Sequence, residues 1–413
     1  MSKIRNLNIA IAISSFLPDI GGAQITAHNL ALHLTDQGHR VVMFAAWSSW
    51  RKIGNRKNEL GYKLLPLLPG QQRLMPTLGR AYQIIQNRYF SWVQQKYEFD
   101  LWQSFGAYPA AVSIAGFTEQ RNIPHVLRTV GYDIQKDPEI KYGYRFDAKI
   151  ESLIQKWSPK VSKAIALSES VKLDLNDIGV PDEQIEVIPC GVDQTRFQST
   201  ETDKTAIRNK YGIPPDKFTY ITVGRNHPKK GFMVLLNAVA EMHRRHTLDN
   251  IHIVFVGKNM SELSGPARDL KIAEHVTLIE ELGLESDKNE FRIPSTPLIK
   301  LYKSADACVF PSLMETFAMI NIEAMAAEIP VISTDAPGCV ETIIDGVDGL
   351  IAKAGDPIDL AQKMQQLHED KNLRINLVAN GRNSIKNSYN WDVVGNQFEN
   401  LYFSIIKHNR QQS

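Results

Sequence analysis

Three short stretches carry residues whose types and spacing could do chemistry. The first is Gly21-Gly22-Ala23-Gln24. Glycines at such a position let backbone N–H groups approach an oxyanion at a helix N-terminus. The second is Gly224-Arg225-Asn226-His227-Pro228-Lys229-Lys230-Gly231. Arg225 and Lys230 can converge there on a diphosphate, Arg as a planar fork and Lys as a point charge. The third runs from Phe310 to Ala326 and holds Glu315 and Glu323. With a helix starting near Thr316–Ala318, a rise of 1.5 Å per residue would set the two acids ~12 Å apart. That is roughly the reach from a hexose, across a diphosphate, to a ribose, and the helix N-terminus between them favours phosphate. Each stretch also has a plainer reading: a tight turn, a solvated basic turn, and a first-turn helix acid followed by a solvated one. The first loop is not GxGxxG, and it lacks the acidic partner of a dinucleotide site.

The elements that must position these residues alternate. Asn8 to Ser14 is a continuous apolar run, as in a central parallel strand. The glycine loop follows, then Ala27, Leu30, Ala31 and Leu34 at helical spacing, a stop at Gly38, and a second strand over His39–Phe44. Further strands are expected at Leu101–Gln103, His125–Thr129, Lys163–Leu167 and Gln184–Ile188, while Trp47 to Tyr97 is less regular. The second half repeats the pattern, with strands at Phe218–Val223, Ile251–Val256, His275–Ile279, Ala307–Phe310, Pro330–Ser333 and Leu350–Ala352. Two such runs imply two doubly wound parallel sheets whose carboxyl ends face a cleft, where ligands bind. The expected division is a first unit over 1–195, a second over 196–390, and a C-terminal helix over 391–413. Gly283–Pro297 reads as an inserted polar loop.

Composition narrows the classes. A chain of 413 residues with 43% apolar and 22% charged residues supports two globular domains rather than a disordered chain. A net charge of +2 is too near neutral to argue for nucleic acid over the whole chain, though it leaves room for a local basic patch, and no nucleic-acid partner is expected. Cys190, Cys308 and Cys339 show no metal-ligand spacing and suit a reducing cytoplasm. Lys3 and Arg5 before the first apolar run faintly imitate a leader, but the run is short and reads as a buried strand. No stretch has the ~20 apolar residues of a membrane span, so any membrane contact is expected to be peripheral.

Together these segments resemble the retaining nucleotide-sugar glycosyltransferases of family four, which have the GT-B fold. The resemblance covers nearly the whole chain. It rests on the Gly-Gly-Ala-Gln loop, Ile188-Pro189-Cys190-Gly191-Val192-Asp193, Gly224-Arg225 with Lys230-Gly231, and Pro311-Ser312 with the E-x7-E pair Glu315 and Glu323. Pro337-Gly338-Cys339-Val340-Glu341 completes the set.

The resemblance implies donor binding by Gly22, Arg225, Lys230, Glu315, Thr316, Phe317, Ala318 and Glu323. Arg225, Lys230 and Glu315 form the catalytic set. The backbone of Gly22 and the cations of Arg225 and Lys230 meet the diphosphate, acting on its departing charge and not on the fold. Glu315 and N–H groups around Phe317 and Ala318 take the sugar, and Glu323 takes the ribose. Asp133 and Tyr132 are the acceptor-side candidates. The implied reaction moves a sugar from a nucleoside-diphosphate sugar, with UDP as the expected nucleotide, to a hydroxyl of a lipid-linked or surface-glycan precursor. No metal or other cofactor is expected. Two rivals remain: a nucleotide-sugar epimerase and a non-catalytic nucleotide-sugar-binding module.

Four positions depart from the family pattern: Ala318 and Glu328 where Gly is usual, Cys190 where Asn is usual, and Val130 where His or Arg is usual. Finally, Trp47–Tyr97 interleaves aromatics with basic residues, among them Arg51, Lys52, Arg56 and Lys57. It reads either as a solvated face over core aromatics or as a surface resting on the anionic inner face of a membrane.

Overall fold

The computed structural model describes residues 6–138, 141–282 and 291–412. Residues 283–290 of the polar stretch, and Lys3 and Arg5, lie outside the described residues. Contacts divide the chain into two units. The first comprises Met1–Cys190, Asn289–Phe291 and Trp391–Ser413, and the second Gly191–Lys288 and Arg292–Asn390. The boundary falls at Cys190/Gly191 rather than at 195/196. Val192 N–H donates to the Tyr389 carbonyl at 2.7 Å, and Asp193 caps the helix Gln194–Ser199, so both residues belong to the second unit.

The first unit holds β1 (Asn8–Ile13), β2 (Arg40–Ala45), β3 (Lys63–Pro66), β4 (Leu101–Phe105), β5 (His125–Arg128), β6 (Lys163–Ala166) and β7 (Ile185–Val187). Their order in the sheet is β3-β2-β1-β4-β5-β6-β7. Each described pairing is parallel, with β1 between β2 (Ile9 opposite Val41) and β4 (Ile9 opposite Leu101). A strand covered on both faces must be apolar throughout, which is why Ile9 to Ile13 is an unbroken buried run. The chain leaves β1 toward β2 and β3, then returns to the other side of β1 with β4. The loops after β1 and β4 therefore flank a topological switch point, the usual crevice of such sheets. Phe44 stacks on Trp102 (5.2 Å), with Phe90 edge-on at 5.4 Å, beneath the helix Arg80–Tyr97.

The second unit holds β8 (Phe218–Val223), β9 (Ile251–Val256), β10 (Val276–Ile279), β11 (Ala307–Val309), β12 (Val331–Thr334) and β13 (Leu350–Ala352). Their order is β10-β9-β8-β11-β12-β13, again parallel. The switch point here lies between β8 and β11. The loops that follow those two strands are the arginine–lysine loop and the Glu315 loop. The fold thus brings the two most chemically suggestive stretches of the second half to one end of adjacent strands.

The C-terminal helix Trp391–Gln412 packs within the first unit, with Val394, Phe398 and Tyr402 buried. Its Phe398 ring lies 5.2 Å from the guanidinium of Arg128. Arg128 is 1% exposed and faces no carboxylate among the described residues. It donates instead to the carbonyls of Ile188 (3.0 Å) and Pro189 (3.3 Å), and its Nη2 lies 3.4 Å from Cys190 Sγ. The buried cation thus ties β5, the C-terminal helix and the last residues of the unit together. Charge-assisted bonds from a buried group are costly to remove. Arg128→Met is expected to destabilise the first unit by about 2–4 kcal/mol in urea denaturation. An unchanged urea midpoint would show that the guanidinium is not holding this junction.

Candidate functional site

In the second unit the site is assembled by backbone contact between loops. Gly231 takes a left-handed φ of 64° at the start of the helix Phe232–Arg244, and a Cβ there would meet the Pro311 carbonyl oxygen at 1.9 Å. Only glycine permits that approach. Beside it, Leu313 N–H and Ser312 Oγ both donate to the Lys229 carbonyl, at 2.7 and 2.8 Å. A third loop closes the other side. Glu315 N–H donates to the Pro337 carbonyl and Ala318 N–H to the Gly338 carbonyl, both at 3.0 Å. Gly338 (φ 72°) has no room for a Cβ, which would sit 2.4 Å from the Glu315 carbonyl oxygen. The Pro337-Gly338-Cys339 stretch is therefore the brace of the Glu315 loop.

This stitching decides where the charges fall. Glu315, 6% exposed, receives Lys230 Nζ on Oε1 in a short contact, Lys229 Nζ on Oε2 at 3.6 Å, and Ser312 Oγ at 3.1 Å. Burial opposes its ionisation, but Lys230 and Lys229 outweigh that and hold the carboxyl below its ordinary range. Lys230 also lies 5.0 Å from the Phe310 ring. Arg225 is exposed, just past the end of β8, and pairs with no carboxylate among the described residues. The imidazole of His227 is held below its usual range by burial first, then by Lys229, Arg225 and Lys230. It is a neutral loop residue whose Nδ1 accepts from Lys229 N–H at 3.3 Å. Three cations against one ionised carboxylate leave a local excess of two positive charges. That matches the charge of a diphosphate ester.

Glu323 lies on the helix Met319–Ala326, buried, and accepts a 2.8 Å bond from Tyr302 Oη. Burial raises its carboxyl to about 7, only partly countered by the tyrosine. The helix is anchored below by Asn321, whose Nδ2 donates to Ser333 Oγ at 2.9 Å and Thr342 Oγ1 at 2.7 Å.

Several expectations change. The helix begins at Met319, so Glu315 and Thr316 stand in irregular loop and the two acids are not separated by one helical rise. Ala318 N–H is already bonded to Gly338, which removes it as a sugar donor. Ala318 itself has φ −81°, so no glycine is required. Glu328 does stand where glycine suits the backbone, at φ 60°, and both its oxygens are gripped by Arg382 at 3.0 and 2.7 Å. Phe317 packs its ring 5.9 Å from Tyr389. Lys230 cannot act on a ligand alone, because it is also the partner of a buried carboxylate. The sequence reading gave no role to Lys229 or Tyr302, and it placed Ser312 and Gly338 in motif segments without assigning either a contact.

In the first unit, Gly22 opens the helix Gly22–Asp36 after β1, at the switch point, where an α-helix leaves its first N–H groups unpaired. Asp133 corrects an expectation. It is wholly buried and accepts from the N–H groups of Ala107 (2.6 Å), Gly131 (2.7 Å) and Val130 (3.0 Å). It braces the loops after β4 and β5 and presents no free oxygen to an acceptor. Val130 contributes its backbone to that brace. Tyr132 is 41% exposed, with the rings of Tyr144 and Tyr142 edge-on at 4.6 and 4.8 Å. His28, His39 and His125 are buried in structural hydrogen bonds: His28 with Tyr62 Oη (2.6 Å), His39 with Leu7 N–H (3.0 Å), His125 with Ser104 Oγ (3.0 Å).

Two doubly wound Rossmann-like units in one chain, each with its loops at a switch point, define the GT-B class of fold. Anabaena HepE, solved in complex with UDP, has this fold: 19% identity, TM-score 0.77, covering 96% of this chain and 100% of that one. Residues 20–196 match the model of Glycosyltransferase Family 4, and residues 203–384 that of Glycosyl transferases group 1. The chain belongs to the group 1, family 4 glycosyltransferases. It is similar to D-inositol 3-phosphate glycosyltransferase of Corynebacterium kroppenstedtii, 30% identical over 231 residues, covering 54% of this chain and 49% of that protein. It is also similar to the capsular polysaccharide biosynthesis glycosyltransferase CapM of Staphylococcus aureus, 28% identical over 249 residues, covering 59% of this chain and 62% of that protein. The chain spans about half the length of the curated relatives it matches.

The raised carboxyl of Glu323 gives a pH signature. An acid whose folded value lies above its unfolded value loses stability as pH rises between the two, here from about 4.5 to about 7. Glu323→Gln keeps an acceptor for Tyr302 and removes the charge. Its stability relative to the wild type should therefore rise by about 2–3 kcal/mol between pH 5 and pH 8, read by urea denaturation at each pH. Parallel pH curves for the two proteins would show that Glu323 ionises normally.

Proposed function

We propose that the chain transfers a sugar, with retention of anomeric configuration, from a UDP-sugar to a hydroxyl of a lipid-linked or surface-glycan precursor at the cytoplasmic face of a membrane. The observation that carries this reading is the pair Lys229 and Lys230 on buried Glu315, with exposed Arg225 just past β8, at the switch point of the second unit. The UDP bound to HepE supports the choice of nucleotide, and the capsular polysaccharide named for CapM supports the acceptor class.

In this reading the diphosphate displaces Glu315 from the lysines. Arg225 and the two lysines neutralise it as the bond from the anomeric carbon to the phosphate oxygen breaks. Freed of its cations, Glu315 accepts hydrogen bonds from the sugar hydroxyls. Glu323 accepts from the ribose, which favours its ionised form. The acceptor oxygen forms the new bond on the face the diphosphate leaves, and its proton passes to the departing phosphate oxygen. Glu315 and Glu323 serve separate partners, lysines and a tyrosine, and so do not act as a paired acid and nucleophile. The protein's cations do the charge neutralisation, so transfer needs no divalent metal. Tyr132 offers its exposed ring to the acceptor.

Arg225→Ala should lower kcat/KM about 10²–10³-fold with melting temperature unchanged, because Arg225 supports nothing in the fold. Lys230→Ala should lose as much activity and also destabilise the protein, because it strands Glu315. Glu315→Gln should bind free UDP about 3–10-fold more tightly, its lysines being released, yet lose transfer. Glu323→Gln should bind UDP more weakly. Calorimetry with UDP, and NMR of the product anomer, check these outcomes. Equal weakening of UDP binding in both glutamine variants would contradict the division of roles.

A further inference from the structure

The helix Arg80–Tyr97 buries one stripe, Tyr82, Gln86, Phe90, Val93 and Tyr97, against the core of the first unit. An amphipathic helix would be polar on the opposite side. This one is not. Ile84, Ile85 and Trp92 are each more than half exposed on that opposite side, with Arg88 between them at helical spacing. The preceding helix, Gln71–Leu78, exposes Leu74 and Leu78 one turn apart. Large apolar side chains gathered on an outer face of a globular unit mark an interaction surface.

The charges around them select the partner. From Leu60 to Tyr97 the chain contains no Asp or Glu. Arg73, Arg80, Arg88 and Lys96 are all exposed on these two helices, and no carboxylate pairs with them among the described residues. Lys96 Nζ lies 5.2 Å from the Trp92 ring, an aromatic–cation pair suited to an interface between water and lipid. Of the four residues singled out from sequence alone, three are otherwise engaged: Lys52 pairs with Asp19 (3.0 Å), Arg56 with Glu59 (3.0 Å), and Lys57 lies 3.4 Å from the Trp50 ring; Arg51 is exposed but lies outside these two helices.

We infer that the helices Gln71–Leu78 and Arg80–Tyr97 form a docking surface for an anionic phospholipid leaflet. Ile84, Ile85 and Trp92 enter the headgroup region, and Arg73, Arg80 and Arg88 bind lipid phosphates. Apolar insertion and basic attraction act together, each too weak alone for stable attachment. This deepens the proposed reading by assigning the surface that meets the membrane. It does not depend on the sugar chemistry.

The test is flotation of the full chain with vesicles of 70% phosphatidylcholine and 30% phosphatidylglycerol, and with pure phosphatidylcholine, in 20 mM and 500 mM NaCl. UDP calorimetry on the same samples reports the donor site separately. The wild type should bind the anionic vesicles at least 10-fold better than the neutral ones and be released by salt. Arg80→Ala/Arg88→Ala should lose about 25-fold, near 5-fold per basic residue. Ile84→Ser/Ile85→Ser should fail to float even at low salt, with an unchanged circular dichroism spectrum, whereas Arg56→Ala/Lys57→Ala should float nearly as well as the wild type. UDP affinity should be the same in all of them. Wild-type protein that ignores anionic vesicles overturns the inference. So does a double serine variant that still floats, or one that instead converts a wild-type dimer to a monomer. Normal flotation without UDP binding would overturn the donor reading alone.

Discussion

The contact of Lys229 and Lys230 with Glu315 is the interaction on which the donor-side geometry depends. A carboxylate this buried is costly to ionise, and the two ammonium groups are what keep it charged. They in turn are held at the mouth of β8 and β11 by backbone bonds among three loops. Gly231 against Pro311, and Gly338 against Glu315, allow no side chain between them. The ion pair is thus fixed by main-chain fit before any ligand arrives. A site assembled this way is preorganised, its charges fixed in place by the main chain.

The two acids of the E-x7-E segment differ in physical character. Glu315 is ionised because cations surround it. Burial raises the carboxyl of Glu323 to about 7, and the Tyr302 hydroxyl counters it only in part. One stretch of chain therefore carries one carboxylate held ionised by cations and another that burial pushes toward neutrality. Asp133 in the first unit shows the third possibility: a buried acid consumed entirely by backbone N–H groups, serving as a loop brace.

Much of this was legible in the residues. The central strands β1, β8 and β9 announce themselves as unbroken apolar runs, because parallel strands are covered on both faces. The strand β3, Lys63–Pro66, escaped notice because it is a short edge strand that ends in proline. The basic loop and the acidic pair could be read as ligand-binding types. Their mutual arrangement could not, since Lys230 and Glu315 meet across 85 positions and Tyr302 and Glu323 across 21. Nor does sequence tell Lys229 from Lys230, or show that Asp133 faces inward. Glu328 is instructive in the other direction. Its left-handed backbone explains why glycine suits that position, and the fork of Arg382 on its carboxylate explains how a glutamate is held there.

The most direct test of the central claim is a crystal structure of the chain grown with UDP, refined well enough to place Lys230 Nζ and the Arg225 guanidinium. Both cations should lie within hydrogen-bonding distance of diphosphate oxygens, with Glu315 no longer the main partner of Lys230. UDP bound elsewhere in the second unit, with the Lys230–Glu315 pair intact and Arg225 still in solvent, would contradict it.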